Sequence, residues 1–313
     1  MNIRVFREND WQELCRLYNR CYTFDQVSEK FFLEHLILEP NFNPDGVFVA
    51  EVDGNISGAV SAQTVTRNTS PWSDQVTRSR SKGFIMPLIC FDKPTGLALL
   101  RHAEKYLADN GANICRIATS GAYLFPDAVD PDAYPLLKEV ITENGYRAGA
   151  SYFSMRCDLT DWRITDRVAE KIRKGRENGI EAKICELSDI PALRRFLCNS
   201  GDLTARMGNL TQKLSRNELD EVVIIRNSSD VLGYCQHNYF GTPDRVGPFC
   251  VSRECRGMGL GQIMVAKLLE VMSERKFKSA WFATCNEGNT HFYSKNGFVI
   301  FRTKYVFEKN LEQ

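Results

Sequence analysis

Apolar positions along the chain fall into two periods that alternate in a regular order. The first 150 residues open with a short period-2 run, NIRVF, which predicts a strand. The spacing of apolar residues from Trp11 to Tyr22 predicts a helix, with Asn9 or Asp10 as its N-cap. GVFVAEVDGNISGAVSAQTVT carries two period-2 runs around Asp53-Gly54, the strongest short hairpin signal. GFIMPLICF predicts another strand, GLALLRHAEKYLADNG a helix closed by Gly111, and ANICRIATS a strand. YPLLKEVITENGY predicts a helix closed by Gly145, and ASYFSMRCDL the strand after it.

The second half repeats this order. EAKICEL predicts a strand, and DIPALRRFL a helix with Asp189 as cap and Pro191 in its first turn. DEVVIIRNSSDVLGYCQHNYF predicts a hairpin turning at Asn227 to Asp230. RVGPFCV, SAWFATCN and FVIFRTKYVFE predict strands; GQIMVAKLLEVMSERK predicts a long helix, and NTHFYSKNG a short one closed by Gly297. Met264, Val265, Leu268, Val271 and Met272 share one face of the long helix and are expected to pack on a sheet. Recurrence at a spacing of about 150 residues implies two copies of one α/β unit. The boundary is expected at 160/161, with the charged helical stretch Asp161 to Gly179 as connector.

Composition narrows the class. The chain has 313 residues, room for about two domains, and is 43% apolar and 25% charged, as soluble globular proteins are. It has no run of about 18 apolar residues, so no membrane span is expected. The N-terminal residues lack the apolar core of a signal peptide. The eleven cysteines show neither CxxC nor Cys/His pairs at zinc spacing, so no metal is expected. Several lie inside apolar runs, the pattern of reduced core thiols in a cytoplasmic protein. A net charge of +1 argues against nucleic acid as a partner. The balance is uneven, −4 over residues 1–160 and +5 over 161–313, which suits an anionic small ligand in the second half.

Between a strand and the long helix stands Val251-Ser-Arg-Glu-Cys-Arg-Gly-Met-Gly-Leu-Gly-Gln262. Gly257, Gly259 and Gly261 let backbone amides approach a ligand closely, and the helix behind them starts at its positive end. Phosphate is the natural occupant of such a place. A P-loop would need GxxxxGK[ST], which is absent. A dinucleotide turn would need GxGxxG and an acid closing the next strand; here Gln262 follows and the nearest acids, Glu270 and Glu274, lie in the helix. The pattern (Arg/Gln)-x-x-Gly-x-(Gly/Ala) is met in full by Arg256 to Gly261. This resembles the pyrophosphate loop of the GNAT family of N-acetyltransferases. The preceding Gly247-Pro-Phe-Cys-Val251 is similar to that family's splayed fourth strand. Asn286, followed by Phe292-Tyr293 and Gly297-Phe298, resembles its closing motif. The first half resembles the family more faintly. Lys93-Pro-Thr-Gly96-Leu-Ala98 stands where the loop should be, and Tyr134-Pro-Leu-Leu to Gly145-Tyr146 echoes the closing helix.

The resemblance implies an α/β fold with mixed sheets, built as two tandem GNAT-like acyl-CoA N-acyltransferase domains. Residues 1–160 would be a degenerate copy and 161–313 the copy that carries acetyl-CoA. It implies direct acetyl transfer from acetyl-CoA to the amine of a small acceptor. Amides of Arg256, Gly257, Met258, Gly259, Leu260, Gly261 and Gln262 would hold the pyrophosphate. Phe249, Cys250 and Val251 would line the pantetheine arm, with a strand amide near Cys250 or Val251 binding the thioester oxygen as charge develops. Asn286, Asn289 and Phe292 would contact the pantetheine side, although Asn286 and Asn289 also read as helix caps. Tyr293 would donate a proton to the departing thiolate. No general base stands out: His237, Glu254 and a water chain compete, and a covalent route through Cys250 or Cys285 has no activating partner in the sequence. Two other readings stay open: a non-catalytic acyl-CoA-binding protein, and a protein or peptide N-acetyltransferase. Acceptor specificity is expected in Asn68 to Lys82 and Ser200 to Asn217; oligomeric state is left open.

Overall fold

Asp53 and Gly54 adopt φ of 51° and 79°, so the two-residue turn twists with the strands it joins and sets the first hairpin. This computed structural model describes residues 1–68, 74–119, 127–200 and 204–311. The described residues form two units, those within 1–68, 74–152 and 302–311 in the first and those within 153–301 in the second.

The first unit runs β1 (Asn2–Val5), α1 (Trp11–Cys21), short α2 (Glu29–Phe32), β2 (Val47–Val52), β3 (Asn55–Thr64), short α3 (Gln75–Arg78), β4 (Lys82–Ile89), α4 (Lys93–Asp109), β5 (Ile114–Ile117), α5 (Pro135–Glu143) and the start of β6 (Arg147–Asp158). Its sheet has the order β1-β2-β3-β4-β5, antiparallel except for the parallel pair β4–β5, and is extended by β12 (Val299–Asn310) through Phe307↔Ile117. The strand predicted over 112–120 is thus Ile114–Ile117; residue 120 lies outside the described residues. Leu99, Ala103 and Leu107 recur every fourth residue of α4 and are fully buried against the sheet.

β6 and β12 each begin in one unit and end in the other, so the expected boundary at 160/161 falls after β6 has entered the second unit. In the first unit β12 is anchored by Arg302. Its guanidinium takes Asp25 at 2.6 and 2.8 Å and Asp130 at 2.7 Å, and the Tyr134 hydroxyl donates to Asp25.

The second unit contains α6 (Asp166–Glu177), β7 (Glu181–Ile184), α7 (Ile190–Asn199), α8 (Met207–Ser215), β8 (Val222–Arg226), β9 (Val231–Gln236), β10 (Cys250–Val251), α9 (Leu260–Glu274), β11 (Ser279–Cys285) and α10 (Glu287–Ser294). An antiparallel sheet runs β10-β9-β8-β7, and β11 pairs with the end of β6. The α9 residues Met264, Val265, Leu268, Val271 and Met272 are all buried, as their spacing predicts. α7 and α8 cover the opposite face through Leu193, Phe196, Leu197 and Leu210. α6, the expected connector, packs on α9 through Ile172.

Two expected caps work differently. Neither Asp10 nor Asp189 caps its helix through the side chain. Each is buried, accepts a backbone N–H three residues upstream, and pairs with a cation of the preceding strand: Asp10 with Arg4, Asp189 with Lys183 and also Arg226. Burial alone would raise both carboxyls; these partners outweigh it and hold them below the ordinary range. The arrangement recurs at the same place in both units, a structural trace of the internal repeat.

Candidate functional site in the second unit

RVGPFCV reads as one strand, but only Cys250–Val251 pairs with β9. Pro248 has no N–H to donate. Gly247 N–H bonds to the Gln236 carbonyl and Cys250 faces Tyr234, so three steps on this segment meet two on β9, which is a β-bulge. On its other side the segment's backbone meets β11 at its start, where Val246 N–H reaches the Trp281 carbonyl at 2.7 Å and Arg245 bridges Trp281. Beyond that point β10 stays with β9 while β11 pairs with β6, so the two strands part. Ser252 N–H bonds to Leu232 O, so alternation turns the N–H and C=O of Val251 away from β9, toward the gap.

The phosphate-loop residues follow. Gly257 and Gly259 take φ of 83° and 84°, the left-handed region, and Gly259 is the N-cap of α9. A Cβ on Gly257 would meet nothing within 4 Å, whereas one on Gly261 would stand 3.1 Å from the Phe292 ring. The first two glycines serve backbone shape, and the third lets α10 sit against α9. Leu260 and Gln262 are buried, and Met258 is exposed. The Lys171 ammonium of α6 donates to the Gln262 side-chain carbonyl and lies beside Gly259. Burial, then Arg167 and Lys295, push the Lys171 ammonium below its ordinary value. With Arg256, several cations converge on a helix N-terminus, and among the described residues none of these four is ion-paired.

Tyr293 closes the gap from α10. Its ring packs on Phe282, Phe292 and Phe249 at 4.5, 5.0 and 5.4 Å between centroids. Burial, then the thiols of Cys285, Cys235 and Cys250, push its hydroxyl well above the ordinary tyrosine value, so it holds its proton at neutral pH. That hydroxyl is therefore near Cys250 of β10 and Cys285 of β11, the two strands that part. Beside β10, a cleft of about 560 Å³ is lined by Phe249, Cys250, Val251 and Arg256 and by Phe196 and Asn199 of α7, a volume typical of small-molecule sites.

Other sequence-predicted residues already have partners within the protein. The Asn286 carbonyl oxygen accepts the Asn289 N–H at 3.1 Å, so both atoms are committed to capping α10, and both residues are exposed. His237 is buried; Arg275 can only donate to its Nε2, at 3.2 Å, which leaves Nδ1 donating to the Pro243 carbonyl at 3.1 Å. Burial pushes its pKa down. With both nitrogens engaged it has no place in a proton relay. Glu254 is exposed and holds the Ser252 hydroxyl, which keeps its carboxyl ionised below the usual range. Burial pushes the Cys285 thiol up to about 11 and that of Cys235 well above its ordinary value, the reverse of an activated nucleophile. Of the expected acceptor loops, residues 69–73 and 201–203 lie outside the described residues. Among the described residues no cluster of metal-binding side chains occurs, and no helix is long and apolar enough to cross a membrane.

Residues 190–298 match the profile of the acetyltransferase (GNAT) family. The second unit carries a GNAT acetyltransferase domain. The match covers the loop, the parting strands and Tyr293. Solved GNAT structures extend the likeness of fold to the whole chain. A GCN5-related glucosamine N-acetyltransferase region of a fungal multi-domain GH3 β-N-acetylglucosaminidase superposes with a TM-score of 0.75 at 15% identity, over 98% of this chain and 38% of that one. The chain thus spans well under half of that larger protein. A GCN5-related N-acetyltransferase from Sphaerobacter thermophilus gives 0.65 at 14% identity, covering 100% and 96%. A tandem GNAT protein from the clavulanic acid biosynthesis pathway gives 0.61 at 14% identity, covering 100% and 99%. No protein of curated function matches the chain in sequence. Both units share the mixed α/β architecture of that fold.

Proposed function

We propose that the second unit transfers an acetyl group from acetyl-CoA directly to the amine of a small, cytoplasmic acceptor. The observation that carries this reading is the gap between β10 and β11, with the glycine loop at one end and the protonated Tyr293 at its wall. Amides of Arg256 to Gln262, reinforced by Arg256 and Lys171, hold the pyrophosphate at the positive end of α9. The pantetheine arm lies in the gap as an added strand. Val251 N–H, turned away from β9, receives the thioester oxygen as it gains charge. The amine attacks the carbonyl carbon, the C–S bond breaks, and Tyr293 protonates the sulfur. Direct attack fits the raised cysteine thiols.

The first unit's own side chains support a reading with one acyl-CoA per chain. Lys93-Pro-Thr-Gly96 forms no loop there but the first turn of α4. The Asp92 carboxylate caps that turn, accepting from Thr95 N–H at 2.8 Å and Thr95 Oγ1 at 2.9 Å, and so puts a negative charge where phosphate would bind. Lys93 is held by Glu139 and Glu143 at 2.8 and 3.0 Å. Four residues before Gly145, where Tyr293 precedes Gly297, stands the buried aliphatic Ile141. The test is to mix the chain with acetyl-CoA and a panel of small amines, and to read free thiol and N-acetyl product together. Matched stoichiometric release supports the reading. Acetyl-CoA binding without product from any amine supports a non-catalytic acyl-CoA-binding protein instead.

A further inference from the structure

Two cations beyond Arg256 and Lys171 flank the start of α9. Helices α6 and α10 meet that start from two sides. The Lys171 ammonium of α6 donates to the Gln262 side-chain carbonyl, and a Cβ built on Gly259 would stand 3.4 Å from its Nζ. The Phe292 ring of α10 lies 3.1 Å from where a Cβ on Gly261 would be. Arg167 precedes Lys171 by one turn of α6, so the two side chains share a helix face. Lys295 follows Phe292 by about one turn and still has helical backbone. Arg167 and Lys295 are exposed. After burial, these two cations are what lower the Lys171 ammonium, as near like charges do. The α6 carboxylates Glu170 and Glu177 are taken by Arg173 and Lys174 instead.

Cations gathered at the positive end of a helix repel one another, and a bound polyanion relieves the repulsion. A pyrophosphate linkage has one ionised oxygen on each phosphorus, which Arg256 and Lys171 balance. Arg167 and Lys295 remain over. A phosphate monoester matches them, with a charge of about −1.5 to −2 at neutral pH and three strong acceptor oxygens. A carboxylate would leave one of the two cations unmatched. Coenzyme A carries such a monoester on its ribose, on the far side of the pyrophosphate from the thioester. α6 lies ahead of residues 190–298, so Arg167 and Lys171 come from outside the segment that matches the GNAT profile.

We propose that Arg167 of α6 and Lys295 of α10 bind the ribose 3′-phosphate of the acyl-CoA, so that this chain selects phosphorylated coenzyme A over its 3′-dephospho form. The two are specificity-determining residues; neither touches the thioester. Lys171 sits between them and the loop and belongs to the pyrophosphate. This inference rests on the reading of the glycine loop as an acyl-CoA site, but not on any transfer chemistry in the gap.

The test titrates acetyl-CoA and 3′-dephospho-acetyl-CoA into the full chain by calorimetry. Charge-assisted contacts to one phosphate predict a Kd about ten- to a hundredfold weaker for the dephospho form. Arg167→Met with Lys295→Met brings the ratio of the two Kd values toward one by weakening acetyl-CoA, and Lys295→Arg keeps most of the preference. Retained binding of the dephospho form shows that the double variant folds. Arg176→Met removes the same charge about 14 Å further along α6 and leaves the ratio unchanged, which separates a local subsite from a general positive field. A preference for acetyl-CoA in a chain that acetylates no amine upholds the subsite and overturns the transferase reading. Equal Kd values for the two ligands, a ratio unmoved by the double variant, or a ratio moved as far by Arg176→Met overturns the subsite and leaves the acyl-CoA site standing. Binding of neither ligand overturns both.

Discussion

Replacing Tyr293 with Phe removes one oxygen and leaves the ring. Its contacts with Phe282, Phe292 and Phe249 are ring contacts and survive the change. Among the described residues no hydrogen bond to that hydroxyl is lost, so stability should move by no more than about 0.5 kcal/mol. The catalytic effect should be far larger. A placed general acid contributes about 10²–10⁴-fold. Its leaving group here is a thiolate, whose ordinary pKa of about 8.5 makes it a tolerable leaving group unaided, so the low end applies. The expected fall in kcat is about 10²-fold, or about 2.7 kcal/mol of barrier. The assay is thiol release under saturating acetyl-CoA and acceptor, with calorimetric binding of acetyl-CoA in parallel. Binding should stay within a few-fold. The pH profile adds a second check. Tyr293 is raised above the ordinary tyrosine value, so the wild type keeps this acid through neutral and mildly alkaline pH. An alkaline loss of kcat below pH of about 9 therefore belongs to another group. A kcat for Tyr293→Phe within a few-fold of wild type, with binding intact, would refute the general-acid assignment.

Other expectations follow from particular contacts. Arg302→Met leaves Asp25 and Asp130 buried without their cation, and should destabilise the first unit by about 3–5 kcal/mol in urea unfolding. Asp189 has a folded pKa below its unfolded one, so its stabilisation is complete above about pH 4 and is lost as pH falls through the folded value; the difference between wild type and Asp189→Asn should shrink on acidification below that point. Gly261→Leu drives a side chain into Phe292, displaces α10 and with it Tyr293, and should lower kcat while the first unit's unfolding is unchanged. Cys285→Ala should retain most activity, since a thiol held up at about 11 is no nucleophile at neutral pH; loss of the first-turnover acyl transfer in that variant would reopen a covalent route.

Much of the architecture was legible because local signals agreed with it. Asp53-Gly54 can adopt the turn its hairpin needs, and the apolar face of α9 matches the sheet it covers. The glycine loop was legible for the same reason: Gly257 and Gly259 need positive φ, and Gly261 leaves room for Phe292. What the sequence hid depends on partners distant in the chain. Asp10 and Asp189 look like caps until Arg4 and Lys183 are seen across the turn. RVGPFCV has uniform strand propensity, and only the bulge against Gln236 shows where pairing stops. His237 read as a relay until Arg275 and Pro243 occupied both nitrogens. Lys171 lies 91 residues before Gln262, and no spacing rule links them.

The central claim is one acyl-CoA site per chain, held by the loop of the second unit. Calorimetric titration of acetyl-CoA into the purified chain tests it most directly. The account predicts one site, abolished by Arg256→Glu with Gly259→Asp and untouched by Lys93→Glu. Two sites, or a single site lost on Lys93→Glu and kept in the loop variant, would contradict it, as would no binding at all.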